Sequence, residues 1–358
     1  RARVSALWQN ALDLFRPSVA RATTGTPFIA YYNGIENRAM DYALYYVSEQ
    51  QNLDGSFGKM GQDRYTITGD LGILMSQFQR INNDQFPRLI NYLQTATTTN
   101  NRELALKIQV LAAYSQPYQS LLQTLQSAQN SDSGFGFQPD YGSDVLSTWY
   151  VLHAYEMTNQ PTAPLLYYLL DQIAPDGTIR LTADSDPSYY LMNKTAEALL
   201  PYRGLTVGDP GNPANSLAVD PKINALLQYL QSSYDGATGD ILGTSDPIDY
   251  ALTLRSFELY SVSSTIADAL YARVILRQQI DGSFNGDLRA TLEVMNGIAR
   301  PDFIIESVQP RGLLVNKTRA TVQVILKNIG YRPINQGHLH FLIDQFHDSQ
   351  LTIDLSYG

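Results

Sequence analysis

The sequence predicts a mainly α-helical repeat fold, six helical hairpins in series, closed by a small all-β segment. Three observations carry this: a recurring Asp-Gly turn, a pair of unlike helical patterns flanking each turn, and a switch of hydrophobic period near Pro301.

The turn is the clearest signal. It reads Gln51-Asn52-Leu53-Asp54-Gly55-Ser56-Phe57-Gly58, then Asn130-Ser131-Asp132-Ser133-Gly134-Phe135-Gly136. It returns at Pro175-Asp176-Gly177-Thr178, at Tyr234-Asp235-Gly236 and at Gln279-Ile280-Asp281-Gly282-Ser283-Phe284. The spacings between its aspartates are 78, 44, 59 and 46 residues. The first gap therefore holds one degenerate unit near residues 97–101, and six units of roughly 45 residues result.

Before each turn runs an amphipathic stretch such as Ile223-Asn224-Ala225-Leu226-Leu227-Gln228-Tyr229-Leu230, which predicts an outer helix. After it comes a more apolar one, such as Val145-Leu146-Ser147-Thr148-Trp149-Tyr150-Val151-Leu152, which predicts a buried inner helix. An aspartate recurs just ahead of the inner helices, at Asp70, Asp144, Asp186, Asp246 and Asp287, with Asn101 in the degenerate unit. These are expected as N-caps, because a carboxylate there accepts from the free amides of the first turn. Their shared register places five carboxylates at one mouth, which makes them the candidate binding residues for a sugar or a cation.

Composition narrows the function classes. The net charge of −9 shows no basic footprint for nucleic acid. No apolar run approaches the ~20 residues of a membrane span. The chain opens at Arg1 rather than Met, as expected where a leader has been removed. The chain has no cysteine, which excludes disulfides and thiolate chemistry. Tyrosine is abundant, 24 residues against 12 Phe and 2 Trp, which suits helix interfaces or a wet cavity wall.

The Gln51 and Gln279 turns resemble the Gln/Trp motif of squalene–hopene cyclases, with Phe in place of Trp. Gly142-Ser143-Asp144-Val145-Leu146-Ser147-Thr148-Trp149-Tyr150 and Gly286-Asp287-Leu288-Arg289-Ala290-Thr291 resemble inner-helix starts of prenyltransferase repeats. The resemblance spans about residues 35–300 and implies a closed (α/α)6 toroid over residues 1–300 with one central cavity. Prenyltransferase zinc sites take Asp, Cys and His. With no Cys and only His153 in the ring, no zinc site is expected, and calcium on Asp54, Asp70 or Asp144 is the one cofactor allowed.

The cyclases' Asp-x-Asp-Asp motif has its nearest match in Asp184-Ser185-Asp186-Pro187, which gives Asp186, with Asp184 and Tyr189, as candidate catalytic residues. A carbohydrate-active enzyme would draw instead on Asp70, Asp144, Asp186, Tyr189, Tyr190, Lys194 and Arg255. Asn193-Lys194-Thr195 and Asn316-Lys317-Thr318 match the glycosylation pattern.

From residue 301 to 358 the period is 2: Ala320, Val322, Val324 and Leu326 share a face, as do Leu339, Phe341 and Ile343. The stretch from Asp302 to Gly330 resembles the opening of a CARDB-type Ig-like domain of exported bacterial proteins. The remaining length suffices for about four strands, so the domain is expected to be incomplete. His338 and His340, two apart, are expected on an exposed strand face. The expectation is an exported, extracellular or cell-surface bacterial protein. Its toroid binds a glycan or protein ligand without catalysis, and the β-module serves as spacer or adhesion unit. A polysaccharide lyase or hydrolase, and a terpene-cyclase-like enzyme using Asp186, are the alternatives.

Overall fold

The computed structural model describes residues 38–59, 63–77, 86–181, 185–212, 214–299 and four C-terminal strands within 303–353. Among the described residues twelve α-helices alternate between two layers: α1 (Arg38–Ser48), α2 (Arg64–Gln77), α3 (Phe86–Thr95), α4 (Asn101–Ala113), α5 (Gln119–Gln126), α6 (Val145–Met157), α7 (Ala163–Asp171), α8 (Tyr189–Leu199), α9 (Val219–Ser232), α10 (Pro247–Leu259), α11 (Ser264–Ile275) and α12 (Leu288–Ile298). Each even-numbered helix packs on the next, and α12 packs back on α2, so the six inner helices close a ring. The odd-numbered helices lie outside them, and α1 seats on α12 to complete the outer layer.

Burial follows the layers. Inner α6 buries eight residues, from Val145 to Tyr155, whereas outer α5 buries only Leu122 and Leu125. The apolar-all-round pattern of the inner helices is satisfied by neighbours on both flanks and an outer helix behind. Inner helices α4, α6 and α10 end with a residue at positive φ just past the helix, namely Ser115, Asn159 and Ser261.

The Asp-Gly turns are the joints between units. In each, the carboxylate accepts from a backbone amide two residues on: Asp54 from Ser56, Asp176 from Thr178 and Asp281 from Ser283, all at 3.0 Å. A threonine one turn into the inner helix then fixes the exit of the turn. Thr68, Thr148 and Thr291 accept from the amides of Phe57, Phe135 and Phe284 at 2.8, 3.0 and 3.0 Å. Those three phenylalanines are fully buried. The glycine turns its bare face to the next outer helix. A β-carbon at Gly55 would stand 2.2 Å from the Arg88 carbonyl oxygen on α3. At Gly282 it would stand 2.1 Å from that of Tyr42 on α1, so the last turn docks on the first helix.

Three of the expected caps sit where the sequence puts them. Asp144, Asp246 and Asp287 accept from the amides of Ser147, Ile248 and Ala290 at 2.8, 3.0 and 2.8 Å. The other three positions shift. Asp63 caps α2 through Thr66, Asn100 caps α4 through Glu103, and Ser188 caps α8. Asp186 lies exposed two residues ahead of that cap. Pro187 is paired with Arg180 and the Ser188 amide bonds the Ile179 carbonyl, so the chain stays extended until Ser188. Asp70 falls midway along α2. Asp184, Asn316, Lys317 and Thr318 lie outside the described residues.

Small hairpins decorate the ring: β1 (Thr206–Gly208) with β2 (Ser216–Ala218), and β3 (Tyr234–Asp235) with β4 (Asp240–Ile241). Beyond Ala299 come two antiparallel pairs, β5 (Phe303–Arg311) with β6 (Thr321–Asn328) and β7 (Gly337–Ile343) with β8 (His347–Ile353). Among the described residues they form two two-stranded sheets. No described helix is long and apolar enough to cross a membrane.

Gly282→Ala combines a positive φ of 89° with a backbone clash, and roughly 2–4 kcal/mol of stability should be lost. Gly142→Ala, with nothing within 4 Å of its β-carbon, should stay within about 0.5 kcal/mol of the parent. Urea midpoints of the two variants decide the point; equal midpoints would disprove the docking role of the turn.

Candidate functional site

A ring of six inner helices leaves an axial space, and here it is a cavity of about 330 Å³. Its wall is mainly apolar, with Ile73, Leu74, Leu106, Trp149, Met157 and Leu292. Set into that wall is a group of charged and polar side chains about one to two turns into the helices.

The centre of the group is an ion pair between α8 and α12. Lys194 Nζ lies 2.8 Å from Glu293 Oε2, and both side chains are under a tenth exposed. Tyr190 donates to Glu293 Oε1 at 2.7 Å. The ammonium stands 4.8 Å from the Trp149 ring centre and 5.5 Å from that of Tyr190. Trp149 in turn donates to the Lys194 carbonyl at 2.9 Å, tying α6 to α8. Burial opposes the lysine's charge, but Glu293, Tyr190 and Glu197 together outweigh it and hold the ammonium protonated well above its usual range. Breaking such a pair leaves a buried charge alone, which is why it acts as a fixed part of the wall.

Across the cavity, Asp70 projects from α2. Tyr150 of α6 donates to it, at 3.2 and 3.3 Å to its two oxygens. Burial, reinforced by the Glu293 charge, pushes the Asp70 carboxyl up to about 7, against the opposing pull of Lys194, Arg289 and the Tyr150 bond. Among the described residues it has no ion pair within 4.0 Å, and neither does Arg289, the second residue of α12. The remaining acids on the wall are engaged: Glu197 lies 3.7 Å from Arg255. His153 Nδ1 lies 2.6 Å from Glu156 Oε2, whose other oxygen accepts from Tyr202 at 2.9 Å. The histidine ring is set edge-on to Trp149.

The structure thus brings Asp70, Tyr190 and Lys194 together and sends the other candidate residues elsewhere. Asp144 is held by Arg102 at 2.8 Å and by Ser147 at its helix start. Asp246 and Asp287 are caps. Asp186 is exposed and does not line the cavity. Tyr189 donates to the Leu242 carbonyl on the loop before α10. The expected mouth of five carboxylates is therefore dispersed, since Asp70 lies inside the ring and Asp186 on a loop. Asn193 is buried, bonding Thr253 and Ser256, so its glycosylation pattern is closed to modification. Among the described residues no three His, Asp or Glu side chains converge at metal-binding spacing. Glu293 and Arg289 escaped the sequence reading, although Arg289 sits within a quoted helix-start motif. Glu293 gives a signal only as an acid on an otherwise apolar helix face.

No family model and no curated protein matches this chain in sequence. Solved structures do match it in fold. The type II terpene cyclase MstE from Scytonema matches at TM-score 0.56 with 13% identity, over 74% of this chain and 96% of that one. A point variant of that enzyme in complex with its substrate geranylgeranyl dihydroxybenzoate matches at 0.54 and 14%, with the same coverage. A protein from Actinoplanes matches at 0.56 and 13%, over 74% and 98%. The ring is thus a terpene-cyclase-like α/α toroid, and at these identities the likeness is one of fold.

A carboxyl raised in the folded state keeps its proton where the unfolded chain has released it. Stability should accordingly fall as pH rises from about 4 to about 7, by up to about 1.4 kcal/mol per unit across the window. Asp70→Asn should remove this slope, so that the variant gains on the parent between about pH 4 and pH 7. Parallel pH–stability curves for the two proteins would refute the assignment.

Proposed function

We propose that the ring is a container for a small ligand, working by binding rather than by terpene cyclisation. The observation that carries this is the buried Lys194 ammonium in the cavity wall. A cyclase of the MstE kind must let positive charge develop on its substrate inside the ring. Here the aromatic faces of Trp149 and Tyr190, the groups best able to steady such charge, already hold a cation. Two unit positive charges about 5 Å apart repel by about 3 kcal/mol at an effective dielectric of 20. Glu293 offsets part of this, but Arg289 adds a second positive charge beside it. The wall is set against a carbocation.

One observation favours catalysis. Asp70, pushed up to about 7 by burial, has the proton affinity of a general acid, and it rather than Asp186 would fill that role. A glycosidase needs two carboxylates in reach of one bond. Of the three on this wall, Glu293 is bound to Lys194 and Glu197 faces Arg255, which leaves Asp70 as the one without an ion pair among the described residues. These observations support binding ahead of acid catalysis. Export, and a spacer or adhesive role for a CARDB-like C-terminal segment, belong to the same proposal and rest on the resemblance of the sequence from Asp302 to Gly330.

The test is direct. Native mass spectrometry of the protein purified from its source should show a retained small molecule of defined mass. Incubation with geranylgeranyl dihydroxybenzoate should return it unchanged. A cyclised product, lost in Asp70→Asn, would overturn the container reading.

A further inference from the structure

We propose that the ring cavity binds a small amphiphilic carboxylic acid, its carboxylate paired with Arg289 and its hydrocarbon laid against Ile73, Leu74, Leu106 and Leu292. This names the ligand class for the container and rests on that reading.

Lys194 is matched by Glu293, and Arg255 by Glu197. Arg289, an exposed residue in the first turn of α12, reaches the same cavity from its rim with no ion pair within 4.0 Å among the described residues, and its guanidinium lies in the field of Tyr190, Tyr150, Asp70 and Glu293. These groups belong to α8, α6, α2 and α12, and of the other two inner helices α4 adds only Leu106 and Gln109 to the wall. Glu293 is already committed, both its oxygens being bonded to Lys194 and Tyr190. Arg289 is thus the cation of this wall without an ion pair among the described residues. A planar guanidinium with two donors in a fork is suited to a carboxylate.

The rest of the wall selects what the acid is attached to. Its aliphatic side chains come from three inner helices, and a molecule without apolar surface would leave them wet. A volume of about 330 Å³ equals that of roughly ten waters in the liquid, which suits a ligand of on the order of ten non-hydrogen atoms. Tyr150 and Asp70 then face the second carboxylate oxygen. In its protonated state Asp70 is a donor to that oxygen, and in its ionised state it is a like charge beside it. Binding the acid therefore takes up a proton.

The probe is octanoate, with octanol and octylammonium as its neutral and cationic counterparts, titrated calorimetrically into the whole chain at pH 6 and pH 8.5. Octanoate should bind at least tenfold more tightly than either counterpart at pH 6, and should weaken about tenfold at pH 8.5. Arg289→Met, confirmed folded by circular dichroism, should lose tenfold or more of octanoate affinity while leaving octanol unchanged. Asp70→Asn should hold its octanoate affinity across both pH values. Octanol binding as tightly as octanoate would overturn the acid assignment and leave the container reading in place. Failure of all three probes to bind would overturn both.

Discussion

A ring of helices has no free edge, so each joint must deliver the next hairpin at the right angle and height. At three joints that constraint falls on one contact: Gly55, Gly177 and Gly282 each press against the backbone of the following outer helix. The geometry is demanding because three bonds converge there. The aspartate fixes the shape of the turn, the buried phenylalanine anchors its exit, and the inner-helix threonine locks the phenylalanine amide. With the joints set, the inner helices are parallel staves, and residues one to two turns into each must face one another. The cavity and its charges are a product of that registration.

What faces the axis then decides chemistry. Lys194, Glu293, Tyr190 and Trp149 form one bonded unit spanning α6, α8 and α12, fixed by packing before any ligand arrives. Asp70 and Tyr150 form a second, across from it, whose charge depends on pH. The two units differ in kind. A buried ion pair with satisfied hydrogen bonds is rigid and costly to break. A lone carboxyl with a shifted proton affinity is the part of the wall able to respond to what enters.

The ring was legible in the sequence because its joints are local. Asp, Gly and Phe lie within a few residues of one another, and the pattern survives in the turns before α2 and α12. Helix starts were legible where aspartate and the threonine four residues later occur together, as at Asp144 with Thr148 and Asp287 with Thr291. Applied to Thr68, the same spacing would have placed the start of α2 near Arg64 and moved Asp70 from cap to cavity. Asp186 misled because Asp-Pro begins a helix at Asp246 but follows an extended bridge at Asp186, a difference set by Arg180 and Ile179. Lys194 and Glu293, 99 residues apart, could not be paired from the sequence, since only closure brings α8 and α12 to one axis.

The seating of α1 on α12 carries a temporal burden. Tyr46 donates to the Gly286 carbonyl, 240 residues further along. During synthesis at about 5–20 residues per second, α1 waits on the order of ten to fifty seconds for its partner to leave the ribosome. Its buried face of Met40, Ala43, Leu44 and Val47 is bare for that interval. Chaperone capture, or annealing to a second nascent copy, is therefore a hazard concentrated at the first helix, and the final closure is the slow, non-local step of folding.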